Sequence, residues 1–221
     1  MGKGKLLKFA DNEASGNVIQ SGNEFYESCK GNWSKFFKNE NPIVIELACG
    51  RGEYTTGLAS EYKNKNFIGI DIKGARIWKG SQMAQKEGLL NVAFLRTHIQ
   101  NLEAFFEEEE ISEIWIIHPD PRPKDGDERR RITNHRFMDI YKLLIAPGGI
   151  IRFKTDNTQL YQYTLATLND RKDVHISDFT EDLYKSKMNE EHHGIRTRYE
   201  EEFTAEGQMI KCIKFSFNNH E

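Results

Sequence analysis

The chain of 221 residues lacks the features that mark disulfide-rich, zinc-binding or membrane proteins. Its three cysteines, Cys29, Cys49 and Cys212, are scattered and form no CxxC pair. This usage argues against a disulfide scaffold or a zinc site and is typical of reduced thiols in a cytoplasmic protein. No apolar run is long enough to span a membrane, and no signal peptide is visible. The sequence therefore predicts a cytoplasmic protein that does not enter a membrane.

A strong net charge is also lacking, since the formal value at pH 7 is only -3. A polyanionic partner would therefore have to be held by local patches. Residues 122–136 form one such patch, with six basic and three acidic side chains and a local net charge of +3. Lys3, Lys5 and Lys8 add positive charge in an N-terminal arm that we expect to be flexible.

The chain shows no Ser-His-Asp or Cys-His arrangement for nucleophilic catalysis. The adjacent His192 and His193 have no third ligand at a spacing that suits a metal, and such pairs are usually loop residues. We therefore predict no metal site.

What the chain does contain is a regular alternation of strand-like and helix-like segments from residue 43 onward. Strands separated by helices of about 10–15 residues predict right-handed crossovers and a parallel sheet covered on both faces. The last strand alternates apolar and polar residues, as an antiparallel edge strand would. The predicted strands are 43–47, 67–71, 92–95, 114–117, 150–153, 174–176 and 209–217, and the predicted helices are 53–62, 74–86, 102–108, 134–145 and 160–168.

The prediction is thus a doubly wound α/β fold with an antiparallel C-terminal strand. Residues 1–40 are predicted to form an N-terminal arm with a short docking helix that carries Trp33, Phe36 and Phe37. Residues 41–221 are predicted to form a single domain, because no linker interrupts them.

A glycine turn and an acidic residue end the first two predicted strands, where open α/β sheets bind ligands. Gly50 and Gly52 allow a sharp turn and the close approach of a ligand. Asp71 follows about 20 residues after the first glycine, where a carboxylate can accept both ribose hydroxyls of a nucleoside. The pattern predicts a pocket for a nucleoside cofactor, and a glycine turn without a ligand is the competing interpretation.

Two classes of cofactor share this arrangement. A dinucleotide site needs G-x-G-x-x-G, but the third glycine position holds Thr55. Glu46, just before the turn, would repel a pyrophosphate and attract a cationic sulfonium amino acid. The sequence therefore favours S-adenosylmethionine over NAD.

The most distinctive segment is residues 118–124 (HPDPRPK), which follows the strand 114–117. Proline cannot donate to a sheet ladder, and the residue before each proline is pushed toward an extended conformation. Asp120 is therefore expected on a stiff turn at a strand end, followed by Lys124 and by the basic run 129–131. We interpret this segment as a site; a helix cap at Asp120 and a solvated charged face at 129–131 are the alternatives.

Several ordered motifs resemble those of the tRNA (guanine-N7)-methyltransferases, a family with the class I S-adenosylmethionine-dependent fold. The resemblance extends from about Trp33 to the C-terminus. The motifs are the turn from Glu46 to Gly52 with Asp71, the segments 119–124 (PDPRPK) and 129–133 (RRRIT), similar to P-D-P-x-P-K and R-R-L-T, residues 154–157 (KTDN), similar to F-K-T-D, and residues 197–200 (TRYE) with Phe203, similar to T-x-Y-E.

The resemblance implies a seven-stranded, mostly parallel methyltransferase sheet, S-adenosylmethionine as cofactor and a guanosine in the tRNA variable loop as substrate. It leaves a monomer or a homodimer open. Guanine N7 carries a lone pair and no proton, so catalysis needs positioning rather than a general base. Asp120 is predicted to be catalytic, with cofactor contacts from Glu46, Gly50, Gly52, Asp71, His98 and Asp120, substrate contacts from Lys124, Asp156, Thr197, Arg198, Tyr199 and Glu200, and phosphate contacts from Arg129, Arg130 and Arg131.

The sequence differs from the family pattern at Arg122, at residues 125–127 and at His98. Arg122 stands where the family usually carries an aromatic residue, and residues 125–127 (DGD) replace a basic run. His98 aligns with an acidic residue that many members present to the adenosine. We expect these differences to change the adenine and RNA contacts without removing the site.

Three rival functions stay open. An exocyclic-amino methyltransferase would use an Asp/Asn-Pro-Pro-aromatic turn to hold a flipped base, but Arg122 and Pro123 replace the stacking aromatic. An NAD-dependent oxidoreductase is disfavoured by Thr55 and Glu46. A non-catalytic RNA-binding relative is favoured only by His98 and residues 125–127. For single motifs, Asp156 as a helix N-cap and residues 197–200 as a strand entry are the competing interpretations.

Overall fold

In a computed structural model of the protein, residues 3–218 are described, with all of their side chains except those of Lys3 and Lys5. Two of the three lysines predicted in the N-terminal arm thus have side chains outside the described part.

Eight strands of the described chain form one sheet. In chain order they are β1 (Val18–Ile19), β2 (Ile43–Leu47), β3 (Asn66–Ile70), β4 (Val92–Leu95), β5 (Ile111–Ile117), β6 (Ile145–Thr155), β7 (Val174–Thr180) and β8 (Lys211–Phe217). Their order across the sheet is β1-β4-β3-β2-β5-β6-β8-β7, and β8 alone runs antiparallel to its neighbours. The predicted doubly wound, mostly parallel sheet with an antiparallel C-terminal strand is confirmed. The sheet has one strand more than the seven predicted. This strand is β1, which has only two residues and is too short to show a periodic pattern.

The central strands are apolar throughout because both faces of the sheet are covered. All five residues of β2 are buried. Ile43, Ile45 and Leu47 enter the hydrophobic cluster on one face, and Val44 enters the cluster on the other. Side chains alternate along a strand, so Glu46 lies on the same face as Val44. Glu46 is the one charged residue of this strand.

Within residues 3–218 the structure contains seven α-helices. They are α1 (Lys3–Ala14), α2 (Trp33–Phe37), α3 (Glu53–Glu61), α4 (Gly74–Lys86), α5 (His135–Leu144), α6 (Thr158–Asn169) and α7 (Arg198–Ala205). The predicted helices at 53–62, 74–86, 134–145 and 160–168 are confirmed as α3 to α6. The predicted helix at 102–108 is a 3₁₀ helix, Ile99–Ala104.

Two competing interpretations of helix ends are wrong. The N-cap of α6 is Asn157, whose side chain accepts a hydrogen bond from the backbone of Leu160, so Asp156 does not cap this helix. Residues 197–200 do not enter a strand, because Thr197 is the N-cap of α7. The Asp156 side chain is therefore available for other contacts.

The N-terminal region contains more structure than predicted. The docking helix is α2, where Trp33 is fully buried and donates from Nε1 to the carbonyl of Phe105 at 2.9 Å. The helix α1 was missed and packs against α4, where Asn12 donates to the carbonyl of Gly74 at 2.8 Å. Polar contacts of this kind leave no 3.6-residue apolar stripe for the sequence to reveal. The division of the chain at residue 40 stays a prediction.

Candidate active site

A cleft with a volume of about 570 Å³ opens at the carboxyl ends of β2 and β5. The strand order reverses here, since β3 and β4 lie on one side of β2 and β5 and β6 lie on the other. Loops that leave neighbouring strands in opposite directions create a crevice, which is where open α/β sheets bind ligands. The wall comes from α1, the turn between β2 and α3, the start of α4, the end of β5 and the start of α7.

The predicted glycine turn forms part of this wall. Gly50 and Gly52 have φ values of 58° and 71°, a region that favours glycine. A Cβ atom on Gly52 would lie 2.6 Å from Cε1 of Phe94, so a side chain does not fit there. Gly52 therefore packs against the core and does not line the cleft among the described residues, whereas Gly50 lines it.

Glu46 lines the cleft and is 4% exposed. Its carboxylate accepts hydrogen bonds from the backbone N–H of Thr55, at 2.7 Å, and from the Thr55 hydroxyl. Burial raises the pKa of Glu46 to about 8, although both bonds from Thr55 act in the opposite direction. A cation bound beside it would favour the ionised form, so the group would lose its proton on binding.

Asp71 ties the glycine turn to the next strand end. Its Oδ2 accepts from the backbone N–H of Gly50 at 3.0 Å, and its Oδ1 accepts from that of Lys73 at 2.8 Å. Asp71 is largely buried and is not among the described residues that line the cleft. The predicted ribose contact stays a prediction.

A buried ion pair lies behind the opposite wall, between Lys154 of β6 and Glu200 of α7. The Lys154 ammonium is 2.6 Å from Glu200 Oε1, and the two side chains are 1% and 0% exposed. Tyr184 also donates its hydroxyl to this carboxylate. Burial raises the pKa of Glu200, but the bonds from His118, Lys154 and Tyr184 outweigh it and hold the pKa at about 2. Glu200 is thus an ionised internal group rather than an exposed ligand of the cleft.

The start of α7 places the other residues of the TRYE motif. A capping box fixes it, because Glu200 donates its backbone N–H to Thr197 Oγ1 at 3.1 Å and its carboxylate accepts from the Thr197 backbone at 3.4 Å. Thr197 and Tyr199 line the cleft. Arg198 is exposed and pairs with Glu202 at 2.7 Å, away from the cleft.

His118 and Asp156 meet at the same wall. His118 lines the cleft, and its Nδ1 is 3.0 Å from Asp156 Oδ1. Asp156 was predicted from its motif, whereas His118 and Lys154 were not named as site residues. The sequence did contain a signal for both residues, since charged and titratable groups rarely enter a buried strand without a partner. Lys154 ends an apolar strand, and His118 directly precedes the proline turn.

Asp120 differs most from the prediction, since it does not line the cleft among the described residues. Its side chain is 66% exposed and pairs with the Arg122 guanidinium, with Nε 3.1 Å from Oδ2. The backbone N–H of Arg122 also donates to Asp120 Oδ1 at 3.3 Å. The side chain and the backbone of Arg122 therefore hold the Asp120 carboxylate on the proline turn. The catalytic role of Asp120 stays a prediction.

The remaining predicted contacts lie outside the cleft. Lys124 and His98 are exposed and each precedes a 3₁₀ helix. Arg129 and Arg130 are exposed, as a phosphate contact requires. Arg131 is instead buried, donates to the carbonyl of Arg122 at 3.1 Å and stacks on the ring of Tyr163. The predicted phosphate contact of Arg131 therefore needs correction, because its guanidinium holds the proline turn.

No helix within residues 3–218 is long and apolar enough to cross a membrane. A search of the same residues finds no group of three or more His, Cys, Asp or Glu side chains that could hold a metal ion. His192 is buried, with Nδ1 at 2.9 Å from the Tyr54 hydroxyl.

The sheet order and the cleft define a Rossmann-like methyltransferase fold. Among solved structures, the chain is similar to a 30S ribosomal A1408 methyltransferase from an uncultured bacterium, with a TM-score of 0.62 and 18% identity over 90% of this chain and 98% of that one. A family model described as "Putative methyltransferase" matches residues 40–213.

Closer relatives are found by sequence. A tRNA (guanine-N(7)-)-methyltransferase of Cytophaga hutchinsonii is 47% identical over 98% of this chain and 99% of its own length. One of Porphyromonas gingivalis is 48% identical over 84% of this chain and 76% of its own. The chain belongs to the tRNA (guanine-N7)-methyltransferase family.

Proposed function

We propose that this protein transfers a methyl group from S-adenosylmethionine to N7 of a guanosine in the variable loop of tRNA. The observation that carries the proposal is the two-sided cleft. Glu46 and the backbone of Gly50 form one wall, and His118, Thr197 and Tyr199 form the other. A cleft of this kind has room for a cationic nucleoside on one side and a base on the other.

The cofactor side fits S-adenosylmethionine in charge and in shape. Glu46 is a carboxyl group that a cation would ionise, and Gly50 presents its backbone to the cleft without a side chain. When bound, this cofactor supplies an electrophilic methyl group. A pyrophosphate fits less well, because the Thr55 N–H at the third glycine position is already bonded to Glu46.

On the substrate side, the residues of this chain have to hold a base without removing a proton from it. Thr197 and Tyr199 line this wall, and Asp156 contacts it through His118. Tyr199 is 46% exposed and stacks with Phe203, and the exposed part of its ring offers a surface for a base. To take part in holding the base, the Asp120 carboxylate would have to leave the Arg122 guanidinium and accept hydrogen bonds from the N–H edge of guanine. We propose these roles from the motif resemblance together with this placement.

The rim of the cleft is cationic, which suits an RNA backbone. Lys8, Arg51, Arg76 and Lys79 line it, against Glu46 and Glu53. Because the whole chain is slightly acidic, this rim and the exposed Arg129 and Arg130 are the places where phosphates would bind. A tRNA substrate places the proposed activity in the cytoplasm, and the protein would act as a monomer or a homodimer.

The proposal is tested by incubating the protein with methyl-labelled S-adenosylmethionine and unmodified tRNA. The product is mapped by reductive chain cleavage at 7-methylguanosine. We expect label at one guanosine of the variable loop. Label on an adenine or on an exocyclic amine would contradict the proposal. Cofactor binding without methyl transfer to any tRNA would favour the non-catalytic RNA-binding relative.

A further inference from the structure

His118 lies between two carboxylates at the wall of the cleft. Its Nδ1 is 3.0 Å from Asp156 Oδ1, and its Nε2 is 3.5 Å from Glu200 Oε2. The side chain is 4% exposed, and its ring also lies near the ring of Phe203. One imidazole therefore joins the end of β6 to the start of α7.

The backbone at His118 holds the ring in this place. Its φ of 45° is in the left-handed region, which residues with side chains rarely adopt. The backbone N–H still donates to the carbonyl of Lys154 at 2.9 Å, and Pro119 follows at once. His118 thus makes the last backbone hydrogen bond between β5 and β6, and its imidazole is turned toward the end of β6 and toward α7.

Both ring nitrogens of His118 face carboxylate oxygens, so a neutral imidazole would turn one lone pair toward a carboxylate. The end of β6 contributes Lys154 and Asp156, and α7 contributes Glu200. Lys154 pairs with Glu200, and β8 contributes the largely buried Lys211, whose ammonium donates to the backbone carbonyl of Asp156 at 3.0 Å. The neutral hydroxyls of Tyr184 and Tyr54 complete the surroundings, on Glu200 and on Lys154.

Burial lowers the pKa of His118, but the hydrogen bond to Asp156 and the nearby Glu200 carboxylate outweigh it, so the pKa lies above the ordinary value of 6.5. The protonated form that the geometry favours is therefore lost only as the pH rises through this raised pKa.

We propose that His118, as an imidazolium, is a positioning residue that fixes the Asp156 carboxylate at the cleft by tying it to Glu200. The inference rests on the proposed function, because Asp156 is the group through which His118 would act on the guanine. Deprotonation or replacement of His118 releases Asp156 and lowers the turnover number rather than the affinity for the cofactor.

The kinetic test compares the wild-type protein with His118→Gln, His118→Phe and the control His175→Gln, whose histidine lies exposed on β7. Turnover is measured at saturating S-adenosylmethionine from about pH 5.5 to about pH 8.5, on both sides of the ordinary histidine pKa. We expect wild-type kcat to fall toward high pH and both His118 variants to be roughly tenfold to a hundredfold slower without this fall. The cofactor KM should not change, and His175→Gln should match the wild type.

A second measurement is independent of activity. In protein labelled with ¹⁵N-histidine, the ring signal that His118→Gln removes should titrate above pH 6.5, and Asp156→Asn should lower its pKa. Wild-type kcat and pH profile in His118→Gln, or a ring pKa that Asp156→Asn leaves unchanged, would overturn the inference. If the wild-type protein methylates no tRNA, the proposed function fails on its own, and the titration alone decides whether His118 holds Asp156.

Discussion

The two walls of the cleft hold their carboxylates in different ways. On the cofactor wall, backbone N–H groups of Thr55, Gly50 and Lys73 donate to Glu46 and Asp71. On the substrate wall, the donors to Glu200 and Asp156 are mainly side chains from distant parts of the chain: Lys154, Tyr184 and His118.

This difference determines how each wall responds to mutation and to pH. Backbone donors are present whatever the side chain, and only a substitution by proline removes one. Side-chain donors can be removed singly, and one of them is the titratable His118, whose pKa is raised above its ordinary value. We therefore expect the cofactor wall to be robust and the substrate wall to be sensitive.

We expect the largest effect from a substitution at Asp120, which tests whether the substrate wall extends to the proline turn. Asp120→Ala should lower methyl transfer by roughly a hundredfold or more, because a misplaced base loses its alignment with the methyl donor. The urea midpoint should change little, since the side chain is 66% exposed. Steady-state turnover on tRNA and urea denaturation measure the two quantities. Near-normal turnover would remove Asp120 from the mechanism and leave the wall without the proline turn.

The second prediction breaks the buried pair. Lys154→Met should lower the free energy of unfolding by about 3–5 kcal/mol, because it removes the ammonium that pairs with the buried Glu200 at 2.6 Å. Urea denaturation at neutral pH measures the change. Adding Glu200→Gln in the same chain should recover part of the loss, since the stranded charge is gone.

The matched control is on the cofactor wall. Thr55→Val removes the hydroxyl donor to Glu46 but keeps the backbone donor, so we expect a loss of only about 1 kcal/mol. Equal losses for Lys154→Met and Thr55→Val would contradict the distinction between the two walls.

A third prediction concerns the charge of Glu46. Glu46→Gln should weaken S-adenosylmethionine binding about tenfold, the value of one charge-assisted contact. In the wild type, affinity should rise as the pH increases toward about 8, because the bound cation needs the ionised form. In the variant this dependence should disappear. Calorimetry in buffers of different ionisation enthalpy detects the proton released by the wild type; an unchanged proton release in Glu46→Gln would assign it to another group.

The same group affects stability with a defined sign. The folded-state pKa of Glu46 is raised from 4.5 to about 8, so its stabilising contribution is complete below about pH 4.5 and is lost as the pH rises through about 8. Glu46→Gln should therefore unfold with a smaller dependence on pH in this window.

The smallest effect is expected at Arg122. Arg122→Ala frees the Asp120 carboxylate from an exposed pair, and exposed pairs add little to stability. We expect an unchanged urea midpoint and a turnover increase of roughly twofold to threefold, since Asp120 no longer has to leave its partner. A clear loss of turnover would instead assign Arg122 to RNA binding.

Much of the fold was predictable because it depends on local patterns. The apolar runs and helix periods located β2 to β8 and α3 to α6, and the glycine spacing located the cofactor turn. The two-residue β1 and the polar contacts of α1 with α4 left no such pattern. The 3₁₀ helix Ile99–Ala104 differs from an α-helix by its hydrogen bonding, which composition does not reveal.

The site was less predictable, because its contacts join residues far apart in the chain. The motif KTDN identified Asp156, but nothing local places His118 against it or Lys154 against Glu200. The basic run predicted three exposed arginines, yet Arg131 is buried beneath the turn that Arg122 closes.

By itself, the sequence determined the doubly wound sheet, the glycine turn beside Glu46 and the resemblance to a methyltransferase family. These features depend on the order of apolar, glycine and charged residues along short segments. Only the tertiary structure decided which charges are paired, which are buried and which face the cleft. The pairing of Glu200 with Lys154, of Asp156 with His118 and of Asp120 with Arg122 sets these properties, because the strength of a charge depends on its partners and its distance from water.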